Sequence, residues 1–116
     1  MIALTVSDVA RYYSKTQIET ASKSKAVYML HERCMYYLLR ARSFSSERSR
    51  CRDKAQNILS QFQRSLRITD AVSRSLFYLY DYCYICLERG GDPDIAHALE
   101  IMGVLRDAFR KLLRRP

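Results

Sequence analysis

Apolar residues recur along this chain at the three- and four-residue steps of a helix, in four runs separated by short breaks. From Ser22, a candidate N-cap, to about Arg42, one stripe is made by Val27, Leu30, Cys34, Tyr37, Leu38 and Ala41. Ser43, Ser45 and Ser46 break it. A second run places Ala55, Ile58, Leu59, Phe62 and Leu66 on one face, with Gln and Arg opposite. The third opens at Thr69 or Asp70 and stops at Gly90 and Gly91, a C-terminal glycine signal. Asp92 as N-cap and Pro93 in the first helical position open the fourth, along which Ile95, Leu99, Met102, Leu105, Phe109 and Leu112 follow. The pattern predicts an all-α fold, an antiparallel four-helix bundle over residues 22–116 with helices about 30 Å long. Residues 1–21 carry scattered apolar groups without a sustained period, and they read as a short, partly ordered N-terminal arm.

The third helix departs from this economy. Val72, Leu76, Leu79, Cys83, Cys86 and Leu87 account for its core face, yet Phe77, Tyr78, Tyr82 and Ile85 lie well round the cylinder. A helix that is apolar on most of its circumference needs cover on most of it. Two covers are compatible: the N-terminal arm, acting as a displaceable lid, and the amphipathic helix of a partner seated in a groove. Nine tyrosines without a tryptophan suit a surface that is covered part of the time, although bordering the core would also place them. Four methionines add adaptable packing.

Charge narrows the partner. Twenty Lys and Arg against twelve Asp and Glu leave a net charge of +8, which suits nucleic acid, a membrane surface or an acidic protein segment. Arg48, Arg50, Arg52 and Lys54 crowd the start of the second helix, where cations oppose the macrodipole, as they would to meet an acidic partner. Neither interleaved aromatics nor a helix-turn-helix pattern accompanies them, which argues against nucleic acid. No apolar run approaches the roughly 20 residues of a membrane span, and residues 1–13 lack a basic n-region, so a cytoplasmic protein without membrane insertion is expected.

Chemistry is sparse. Cys34, Cys51, Cys83 and Cys86 read as reduced thiols packed in helices. The Cys83-x-x-Cys86 pair lies inside an apolar stripe rather than at the opening of a helix, which disfavours a redox role. Only His31 and His97 could complete a zinc set, and both are expected near the surface. No Gly-rich phosphate loop, nucleophile–base pair or paired carboxylate stands out. No catalytic, cofactor-binding or metal-binding residue is therefore assigned, and an enzyme is not expected.

Several segments together resemble the FliS family of flagellar export chaperones. They are Thr16 to Ser22, Met29-Leu30-His31-Glu32, Lys54 to Leu59, Leu76 to Leu87 with Leu79-Tyr80-Asp81-Tyr82 inside it, and Leu105 to Phe109, where Phe109 replaces the usual Trp. Lys23-Ser24-Lys25 stands where the family usually has Pro-Glu-Glu, and Arg33 where it has Gly. The resemblance implies a helical bundle that binds the disordered C-terminal segment of flagellin in the cytosol. It further implies that this prevents premature polymerisation and presents the subunit to the flagellar type III export gate. Joined to the apolar third helix, it points to Ile58, Phe62, Tyr78, Tyr82 and Ile85 as the client-binding surface, with Tyr12, Tyr13 and Ile18 in the lid. A helical adaptor or chaperone for another acidic or axial protein is the alternative. Monomer and homodimer both remain open.

Overall fold

The computed structural model describes the backbone of residues 21–113 and the side chains of residues 25–111. Among these residues four helices follow one another: α1 (Ala21–Ser43), α2 (Arg48–Ser65), α3 (Ala71–Arg89) and α4 (Asp92–Leu113), with one 3-10 turn at Ser45–Glu47 between the first two. The backbone of α1 packs against α2 and α4, and that of α3 against the same two, whereas the diagonal pairs do not approach. Short connections make successive helices antiparallel, so the four stand at the corners of a square. The expected bundle is the observed one. Tyr12, Tyr13 and Ile18, and with them the arm reading of residues 1–21 apart from Ala21, lie outside the described residues.

Local chemistry explains where the helices begin and end. Asp70 caps α3 by accepting from the Ser73 amide at 2.9 Å, and the Ser73 hydroxyl receives the Asp70 amide at 3.0 Å in return. Such a reciprocal box satisfies two otherwise orphaned donors. At the far end Gly90 takes φ of +73°, and its amide reaches back to the Cys86 carbonyl at 3.0 Å. A side chain at Gly90 would be strained by that φ and would also meet the Arg52 guanidinium. Asp92 is not the cap of α4 but its first residue; the Asp94 carboxylate instead accepts from the Gly91 amide at 3.3 Å.

The core faces lie close to the expected stripes, with one displacement that matters. On α1 the buried residues are His31, Cys34, Leu38 and Ala41, while Val27, Leu30 and Tyr37 are half-buried. His31 was expected near the surface and is instead fully buried at the centre of the bundle. Its ring stacks on Phe62 of α2 at 4.1 Å between centroids and lies 5.0 Å from Phe109 of α4. Nδ1 is 2.9 Å from the Val27 carbonyl and Nε2 is 3.0 Å from the Tyr80 hydroxyl of α3. Because a carbonyl can only accept, the Nδ1 proton is donated to Val27, which leaves Nε2 to accept from Tyr80. Every polar atom of this imidazole is thereby matched, which is what allows it into the interior.

The basic run at the start of α2 also has an internal explanation. Arg48 donates from Nε to the Ala41 carbonyl near the C-terminus of α1 at 3.0 Å and pairs with Asp92 at the start of α4. Glu47 receives both Arg40 and Arg50. Arg52 reaches the Gly90 turn that ends α3. Cations set against the C-terminal ends of α1 and α3 complement those helix dipoles, which offsets their poor placement on α2 itself. The run joins all four helix termini at one end of the bundle.

Candidate functional site

α3 carries two stripes on opposite sides of one cylinder. Ser73, Leu76, Tyr80, Cys83 and Leu87 step by three and four along the inner side, and all are buried. Tyr78, Tyr82 and Ile85 step by four and three along the outer side. Tyr78 is 62% exposed and Ile85 42% exposed, high values for large apolar groups. Tyr82 is half-buried and leans toward α4, where its hydroxyl shares a hydrogen bond of 3.1 Å with His97 Nδ1. The Phe77 ring, half-buried, meets Tyr78 edge-on with centroids 5.9 Å apart. Exposed apolar surface in a continuous stripe is the usual mark of a docking site.

The five residues assigned from sequence to client binding therefore divide. Tyr78, Tyr82 and Ile85 share one outward face. Ile58 and Phe62 do not join them, because they are 5% and 4% exposed and belong to the core. Phe62 stacks on both His31 and Tyr80, the latter at 4.9 Å between centroids. The physical reason is economy: α2 has one apolar stripe, and Cys51, Ala55, Ile58, Leu59 and Phe62 are all needed to fill the space between helices.

Apolar surface elsewhere was not flagged by the sequence. Met29, Tyr36 and Leu39 of α1 and Val104 of α4 are each at least 40% exposed. Asking which apolar residues fall off the core stripe, the question that singled out α3, would have found them. Tyr36 and Phe44 flank the Arg40 guanidinium, with ring centroids 5.7 and 4.8 Å from its carbon.

The cysteines are not poised for reaction. All four are buried and free. Burial pushes the Cys34 thiol up to about 12, and burial likewise raises Cys83, so both stay protonated at neutral pH. Burial also lowers His31 to about 4, with its bond to Val27 acting in the opposite direction, so the ring is neutral. Among the described residues no helix is long and apolar enough to cross a membrane. What the outer face of α3 offers is shape and apolar area for binding, on a rigid helix.

The family model for flagellar protein FliS matches residues 6–115, nearly the whole chain. The chain belongs to the FliS family. No individually curated protein matches it significantly. FliS membership supports a role as chaperone of a flagellar protein and implies a client that this bundle binds.

Proposed function

We propose that this chain is a cytoplasmic export chaperone that binds the disordered C-terminal segment of flagellin. It thereby keeps the subunit from polymerising early and hands it to the flagellar type III export gate. The observation that carries the reading is the outward stripe of Tyr78, Tyr82 and Ile85 on a helix whose opposite face already fills the core. An amphipathic helix laid along it would bury these side chains at about 25 cal/mol per Å² of apolar area, less the cost of ordering the segment. Tyrosines suit such a seat, since their hydroxyls keep water or a polar rim while the rings are covered. Tyr12, Tyr13 and Ile18 would act as the lid that the client displaces.

The test is a titration of the full chain with the C-terminal ~40 residues of flagellin from the same organism, the length of about two helices that each match a ~30 Å bundle. Calorimetry and circular dichroism should show a one-to-one complex, a strongly negative heat-capacity change and a gain of helix. Replacing Tyr78 with Ala and Ile85 with Asp together should weaken the complex at least about 100-fold, as expected when two central anchors are lost. Absence of binding by the wild-type chain at tens of micromolar would remove flagellin as the client.

A further inference from the structure

The outer stripe of α3 ends in positive charge at both limits. Arg74 lies one turn before Tyr78 and Arg89 one turn after Ile85. Positions 74, 78, 82, 85 and 89 thus step by four, four, three and four along a single side of the helix. At 1.5 Å per residue the two arginine positions stand about 22 Å apart. Both side chains are exposed, and among the described residues neither is in an ion pair. Arg40, Arg48 and Arg110, by contrast, each have a carboxylate partner. Of the acids of α3, Glu88 turns toward α2, where it accepts from Gln56 at 2.8 Å, and Asp81 lies about midway between the two arginine positions. The stripe itself has cations at both limits, with Asp81 on its α2-side edge beside Tyr78 and Ile85 near the middle.

We propose that Arg74 and Arg89 clamp the two ends of the bound helix, so that this face selects a segment with an acidic residue at each end of an apolar stripe about four turns long. The inference rests on the reading of this face as the client seat, and it adds the chemistry of the client. The signature is a pair of Asp or Glu residues about 15 positions apart, with Leu, Ile, Val, Met or Phe between them at steps of three and four. The same charges disfavour a second copy on this face. In a two-fold pair with antiparallel α3 helices, Arg74 of one copy would meet Arg89 of the other; in a parallel arrangement each would meet its own equivalent. Either places cation against cation around an apolar contact. Charges at the rim of an interface act mainly on association rate and on the choice of partner.

The experiment uses the full chain and the C-terminal ~40 residues of flagellin, titrated at low salt and again at moderate salt. R74E/R89E should weaken binding about 10-fold or more at low salt, with the difference narrowing as salt rises. R33E/R42E, which changes the net charge equally at two exposed positions of α1, should shift it less than about 2-fold. Changing the two client acids to Lys should restore binding to R74E/R89E. Circular dichroism confirms that each variant keeps its helices. If R74E/R89E binds as tightly as R33E/R42E while the Tyr78 and Ile85 replacements abolish binding, the clamp is wrong and the seat stands. If the Tyr78 and Ile85 replacements also bind normally, or the wild-type chain does not bind, seat and clamp fall together.

Discussion

The inner and outer sides of α3 invite comparison because they are made of similar material. Each has tyrosine near its middle and an aliphatic residue about a turn away, at helical spacing. Leu76, Tyr80, Cys83 and Leu87 are nevertheless fully enclosed, while Tyr78 and Ile85 stand open. The difference is concentrated at the polar tips. Tyr80 can be buried because its hydroxyl donates to His31 across the square; without that acceptor, enclosing it would cost about 1–3 kcal/mol. Tyr82 meets an exposed His97 at the rim, and Tyr78 extends into solvent. Hydrophobicity alone does not decide which side of a helix is interior. Here the inner side is uncharged and richer in aliphatic groups, and one buried imidazole supplies the acceptor that admits its tyrosine.

The comparison is broken most directly at its two tyrosines. Tyr80→Ala should cost about 3–5 kcal/mol in urea unfolding at neutral pH, through a central cavity and an unmatched His31 nitrogen. Tyr78→Ala should stay within about 0.5 kcal/mol of wild type in the same assay. Equal losses would mean that the outer side is structural. Acid sharpens the contrast next. His31 takes up a proton near pH 6.5 in the unfolded chain but only at about 4 in the fold. Its contribution to stability is therefore whole above pH 6.5, and about 3 kcal/mol of it is lost as pH falls from there to 4. Unfolding curves across this window should show that slope for the wild type, and His31→Gln should flatten it.

Smaller effects isolate single atoms. Tyr80→Phe keeps the ring and removes only the donor to His31, so about 1–2 kcal/mol should be lost in thermal or urea unfolding. Asp70→Ala removes the cap that sets the start of both stripes and should cost about 1 kcal/mol, with the affinity for a bound helix nearly unchanged. A cap loss that weakened binding as much as it weakened the fold would show that the outer face depends on the exact end of α3.

Helix number, order and boundaries were legible in the sequence because serine breaks, Asp70, the Gly90–Gly91 pair and Pro93 are local signals. The outward set on α3 was legible for a related reason: a second stripe on one helix conflicts with a one-sided core. His31 was not. Nothing local distinguishes a histidine destined for the interior from one at the rim; the distinction lies in Tyr80, 49 positions away. The burial of Ile58 and Phe62 was equally hidden, and for Phe62 the reason is similar, since its neighbours His31 and Tyr80 come from other helices. The internal partners of the basic run on α2 were not legible, because Ala41, Asp92 and Gly90 are distant in sequence and gather only at the end of the folded bundle.

The central imidazole also makes the molecule its own indicator. Nδ1 carries the proton and Nε2 accepts, so the two nitrogens should resonate far apart in a nitrogen-15 spectrum, and each is fixed to a different helix. A client that lies along the outside of α3 leaves that diagonal undisturbed, and both signals keep their positions as the complex forms. A client that wedged the helices apart would free the Nε2 acceptor from Tyr80, and that line would move while the Val27-bound nitrogen held still.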